Sequence, residues 1–199
     1  LKILRTNLLF YHLIHGFLVF FVNLFFFLSL PLMNYAEATA VFFIAPVIIT
    51  VLSIFFLNEK IGPHRWAAVV LGFLGVILIL RPGSESIQLI AILPALAALC
   101  YATLHIFTRK MGTTEKASTM AFYIQISLIF MSTLLGLLIG DGRYESIAPD
   151  ALSFLLKPWV MPTLNDGIII FLLGIFSAFG GFFISQGYRL SEPSKAAPF

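Results

Sequence analysis

The stretch from Ala36 to Gly83, AEATAVFFIAPVIITVLSIFFLNEKIGPHRWAAVVLGFLGVILILRPG, decides the fold. Two apolar segments, Ala36 to Leu57 and Trp66 to Leu80, are parted by one short turn carrying Glu59, Lys60 and Arg65. An α-helix rises about 1.5 Å per residue, so roughly 20 apolar residues cross a hydrocarbon layer of about 30 Å. The pattern predicts two membrane-crossing helices joined by a tight polar turn.

Outward from this stretch the pattern repeats. Of the 199 residues 60% are hydrophobic and only 11% charged, with a mean hydropathy of +1.01. A soluble domain carries about 25% charged residues, so this chain lacks the means to wet a surface. Six runs are predicted to span: Leu8–Met33, Ala36–Leu57, Pro63–Leu80, Ile87–Phe107, Ala117–Ile139 and Gly167–Tyr188. Each must be helical, because lipid offers backbone amides and carbonyls no other partner. The predicted fold class is all-α, a polytopic membrane protein of six transmembrane helices. The single cysteine, Cys100, excludes an intrachain disulfide and reads as packing within the fourth run. A net charge of +3 does not signal nucleic acid, because the basic residues sit in short loops.

Their distribution reports orientation. Lys2, Arg5, Lys60, Arg65, Arg109, Lys110, Lys116, Arg189 and Lys195 fall on one side of the six runs, and Arg81, Arg143 and Lys157 on the other. By the positive-inside rule the amino terminus, the Glu59 turn, the Arg109 turn and the carboxyl tail are expected in the cytoplasm. The loop Gly140–Asp166 is then expected outside. Within it Trp159, beside Lys157 and flanked by Pro158 and Pro162, suits a short segment lying along the membrane interface.

The order of residues in the opening stretch resembles the drug/metabolite transporter superfamily of the EamA type. Glu59 closes one helix, Trp66 opens the next, and Gly72 and Gly75 are spaced along it, as in the fourth-to-fifth helix passage of that family's ten-helix carriers. The resemblance implies two five-helix repeats of opposite orientation. A faint internal echo agrees: one gap-free shift lays Gly16 on Gly174, Phe21 on Phe179, Phe25 on Phe183, Leu32 on Leu190 and Ala38 on Ala196. The shift equals five helices, an odd number, so the two copies cross the membrane in opposite directions. On that register residues 1–83 are the remainder of a first repeat and 84–199 part of a second, helices three to eight of ten. The chain then reads as a fragment that would not transport alone; the alternative is a six-helix carrier working as a homodimer.

Projected at 3.6 residues per turn, the second run aligns Thr39, Phe43, Pro46, Thr50 and Ser53, and the fourth aligns Pro94, Ala97, Tyr101, His105 and Thr108. The first aligns His12, Gly16, Val19 and Asn23. Such stripes either bond neighbouring helices or line a water-filled cavity. Asn23 and Gln125, near mid-membrane, and Tyr101 and Thr50 are the candidates for a substrate cavity, expected between the first, second, fourth and sixth runs. Pro46 and Pro94 are expected to kink their helices. Ala68, Gly72 and Gly75 are expected to admit a close neighbour, as is the pair Gly180 and Gly181. Glu37 reads as a helix-terminus carboxylate.

No run holds paired carboxylates, a catalytic Ser with His and Asp, or a Gly-rich phosphate loop. His12 and His15 share a helix face, but no nearby acidic or thiol ligand completes a metal site, and they read as interfacial. The expected function is a secondary transporter moving a small organic metabolite or drug by alternating access, without cofactor or metal. The resemblance implies a bacterial inner membrane. A membrane-embedded enzyme or a non-transporting structural protein is the alternative.

Overall fold

A computed structural model describes residues 6, 8–80, 90–145, 152 and 155–192. The expected domain boundary at residues 83 and 84 lies outside the described residues. Among those described, every regular element is a helix: α1 Leu9–Ser29, α2 Tyr35–Phe42, α3 Ala45–Leu57, α4 Pro63–Leu80, α5 Ile92–Met111, α6 Ala117–Ile139 and α7 Leu164–Leu190. The chain is a polytopic α-helical membrane protein. Five spans are long and apolar enough to cross a bilayer, with α2 and α3 together forming the span Tyr35–Leu57. The sixth expected span is α4, whose apolar part runs from Trp66 to Leu78.

The division between α2 and α3 follows from Pro46. Proline has no amide to donate to the carbonyl four residues back, and its ring crowds that carbonyl, here Phe42. The helix yields at Phe43 and Ile44, where Ile44 N–H bonds Val41 O at 3.0 Å, three residues back rather than four. Pro46 then sits in the first turn of α3. Pro94 has a similar setting: it lies in the first turn of α5, as Pro46 lies in that of α3, and Ile90, four residues back, is helical while Ala91 is a turn.

Capping explains the other ends. Asn58 closes α3 in the left-handed conformation at φ 54°, a geometry that asparagine tolerates. At the start of α7 Thr163 Oγ1 accepts the Asp166 amide, while the Asp166 carboxylate accepts the Thr163 amide at 3.2 Å, a reciprocal capping box. The Glu37 carboxylate accepts the Asn34 amide at 3.3 Å, so it does serve the start of α2.

The core is organised around α5. It packs against α1, α2, α3 and α7, while α6 lies against α1 and α7, and α4 against α2 and α3. Small side chains permit this crowding: Ala97, Ala98 and Ala102 are wholly buried. Between bilayer helices there is no large hydrophobic gain, so close backbone approach and dispersion carry the association. Gly16 provides the closest approach, since a Cβ there would overlap Ser127 of α6. Gly72, Gly75, Gly180 and Gly181 do not act this way, for a Cβ at any of them would meet nothing within 4 Å. The reason is position: α4 touches its neighbours only along one edge, and the glycines of α7 border open space.

Beyond α6 the chain folds back. Trp159 N–H bonds the Gly140 carbonyl at 2.8 Å and the indole lies over Gly136, yet Trp159 remains 63% exposed. An indole half against protein and half open is suited to the membrane interface. Beside it the amide and guanidinium of Arg143 hold the Asp141 carboxyl below its usual range.

Candidate functional site

A cavity of about 450 Å³ opens between α1, α5, α6 and α7. Asn23 and His15 reach it from α1, Tyr101, His105 and Thr108 from α5, Gln125 from α6, and Ser177 and Ser185 from α7. Gly180 and Gly181 form bare backbone on its α7 wall. Three of the four sequence candidates, Asn23, Tyr101 and Gln125, are therefore neighbours around one space. The space lies against α6 rather than α3.

Thr50 is not among its lining residues. The Thr50 hydroxyl donates to the Pro46 carbonyl at 2.8 Å, and Ser53 donates to Thr50 O at 2.8 Å, so the polar stripe of α3 is consumed within its own helix. The bond from Thr50 is of a common kind, a helical threonine hydroxyl turned back to the carbonyl four residues earlier, as at Thr39, Thr103 and Thr108. That stripe packs where Ile49 meets Ala102 and Tyr188.

Asn23 Nδ2 donates to Val19 O at 2.8 Å, a bond that turns the amide along α1. Asn23 also borders a second, mostly apolar groove of about 400 Å³ between α1 and α6, lined by Phe20, Leu24, Leu128 and Ser132 among others. Tyr101 stands between aromatic neighbours, with Phe42 at 5.2 Å and His105 at 4.2 Å between ring centroids, both edge-on. His105 stacks on Tyr188 at 3.8 Å. The α5 side of the cavity thus presents Tyr101 and His105, with Tyr188 stacked behind His105.

The sequence did not show that the histidines are buried against protein. His12 and His15, expected at the interface, are 0% and 1% exposed, and His105 is 3% exposed. His15 Nε2 bonds Thr108 Oγ1 at 2.9 Å across the α1 and α5 contact. His12 stacks on Tyr123 at 4.5 Å and lies 4.0 Å from the Glu115 carboxylate. The available signal was the stripe itself: His12 continues the Gly16 and Asn23 row, and His105 follows Tyr101. Among the described residues no group of three His, Cys, Asp or Glu side chains is arranged to hold a metal ion.

The end of the bundle nearest Glu115 is closed by polar bonds. Arg189 Nε donates to the carbonyls of Gly112 and Glu115, each at 3.0 Å, and Arg109 donates to Arg189 O at 2.6 Å. Thr6 donates to the Glu115 carboxylate at 2.5 Å. These bonds clamp α7 to the turn between α5 and α6.

Comparison with known proteins now adds to this geometry. Residues 2–81 match the EamA-like transporter family. The chain is 27% identical over 196 residues to an S-adenosylmethionine uptake transporter of Rickettsia bellii, covering 98% of this chain and 61% of that protein. It is 28% identical over 196 residues to the protein of the same description from Rickettsia conorii, with 98% and 60% covered. A riboflavin transporter of Vibrio cholerae is 28% identical over 167 residues, 82% of this chain and 49% of that protein. The chain thus spans about three fifths or less of the length of these relatives. No solved structure matches significantly.

Proposed function

We propose, from the premise that the chain is an EamA-type permease of the drug/metabolite transporter superfamily, that it works in the transport of a small organic metabolite across a bacterial inner membrane. The observation that carries this reading is the 450 Å³ cavity, which gathers Asn23, Tyr101 and Gln125 inside an otherwise apolar bundle. Ligand sites commonly enclose about 300 to 1,000 Å³ with few polar groups among apolar walls. An aromatic wall facing amide side chains suits a planar heterocyclic metabolite, and S-adenosylmethionine and riboflavin, named for the relatives, are of that kind. The relatives' names also favour transport over an enzymatic role.

The mechanism we assign is alternating access between two inverted repeats, residues 1–83 contributing to the first and 84–199 to the second. The family match ending at residue 81 and the internal echo support that division. Asn23 and Gln125 would hydrogen-bond substrate, and Tyr101 would stack on it. Thr50 is assigned no contact. Pro46 supplies the loosened point in the span α2–α3, and no cofactor takes part.

The test is uptake of labelled S-adenosylmethionine and of labelled riboflavin by cells producing the protein. Tyr101→Ala is expected to lower uptake by about tenfold or more while membrane abundance stays within twofold, as stacking on an aromatic ring contributes on the order of 1–3 kcal/mol. Abundance falling in step with uptake would instead mark Tyr101 as packing.

A further inference from the structure

Three imidazoles buried in one membrane-embedded contact are costly to maintain. An unpartnered polar group in an apolar surrounding loses its hydration without a compensating hydrogen bond. Here both ring nitrogens of His12, Nδ1 of His15 and both nitrogens of His105 make no hydrogen bond to the described residues. Ionisable side chains at such depth mark ion or proton routes more often than packing.

They follow one another from the Glu115 end of the bundle to the cavity. Glu115, whose side chain is 11% exposed, lies 4.0 Å from His12 at the α5 and α6 turn. His12 and His15 are one helical turn apart on α1, and His15 and His105 both border the cavity across the α1 and α5 contact. The Thr108 hydroxyl, bonded to His15, is one turn from His105 on α5.

From this we infer that Glu115, His12, His15 and His105 form a proton path joining one end of the bundle to the cavity, and that substrate movement is coupled to protons through it. This rests on the transport reading above. A neutral imidazole has one N–H and one bare nitrogen, so it takes a proton on one side and releases another from the opposite side. Each transfer forms one N–H or O–H bond and breaks one N–H or O–H bond, Glu115 taking the proton on a carboxylate oxygen and water or substrate receiving it from His105. The proton enters from water at Glu115 and leaves to the cavity, where His105 passes it to water or substrate.

Other titratable groups lie on the elements around the path. α1 adds Tyr11; α5 adds Cys100 and Tyr101, with Arg109 and Lys110 at its end; Lys116 caps α6, which adds Tyr123; α7 adds Tyr188 and Arg189, with Asp166 in its first turn at the other end. α3 contains no titratable residue, and those of α2, Tyr35 and Glu37, sit in its first turn at the other end of the bundle. Arg189 is engaged with the Gly112 and Glu115 carbonyls, which leaves the Glu115 carboxylate to Thr6 and His12.

The experiment uses the protein in liposomes with two readouts. Deuterium exchange at the imidazole C2 positions compares the three buried histidines with His64 on the exposed α4 surface. Exchange within about tenfold of His64 is expected for all three, since a proton path must be open to water; protection of His15 and His105 beyond about a hundredfold overturns the path. The second readout uses S-adenosylmethionine or riboflavin with an imposed pH gradient. His12 is not among the residues lining the cavity, so His12→Gln is expected to leave gradient-free counterflow within twofold. Proton-driven accumulation should fall by about tenfold or more in the same variant. Unchanged proton-driven accumulation in His12→Gln overturns the coupling. Wild-type protein that shows no counterflow of either compound counts against the transport reading, and histidine exchange then decides the path by itself.

Discussion

At the scale of single residues, two glycine classes separate by what surrounds them. Gly16 sits where α1 meets α6, and a methyl group there would overlap Ser127. Gly16→Ala should therefore lower thermal stability in detergent by the equivalent of about 1–3 kcal/mol, the usual cost of forcing extra volume into a packed contact. Gly72→Ala, with open space around it, should leave the same measurement unchanged or slightly raised, because alanine favours a helix over glycine by about 1 kcal/mol. Both glycines are equally visible in the sequence. Only Gly16 has a neighbour close enough to require it.

At the scale of elements, the span Tyr35–Leu57 was legible as one apolar run, and its interruption was legible in Pro46. What was not legible is how the break redirects polar groups. The proline deprives Phe42 O of a donor and the helix restarts at Ala45, while Thr50, like other helical threonines here, turns back onto the carbonyl four residues earlier and does not line the cavity. Pro46→Ala should restore an amide and join α2 to α3. Thermal stability is expected to rise or hold, and counterflow of a transported substrate to slow, if the break serves movement; an unchanged counterflow rate would reduce the break to a packing feature. Pro94 lies in the same relation to its helix, with a turn at Ala91 between helical Ile90 and the start of α5 at Ile92.

At the scale of the whole molecule, orientation rests on the division of basic residues, and it can be tested on exposed positions. With Cys100→Ser as background, Thr113→Cys and Glu145→Cys lie at opposite ends of α6 and are both exposed. An impermeant thiol reagent outside intact cells should label Glu145→Cys and spare Thr113→Cys; labelling of Thr113→Cys alone would invert the topology. Thr113 is preferable to Gly112, where a side chain would strike Arg189. The sequence by itself determined that this chain is helical and membrane-embedded, where α4 begins, and where α6 begins and ends, because hydrocarbon thickness and backbone hydrogen bonding leave one solution for an apolar run of that length. It also determined which residues are polar at membrane depth. Which of them share a cavity was decided by tertiary structure alone: α5 packs centrally, α6 rather than α3 lies on the far side of the space, and His12, His15 and His105 are carried inward to the contact between α1, α5 and α6. Periodicity defines a face on each helix, but the partner that face meets depends on how small residues such as Gly16, Ala98 and Ala102 allow backbones to approach, a property of two helices together.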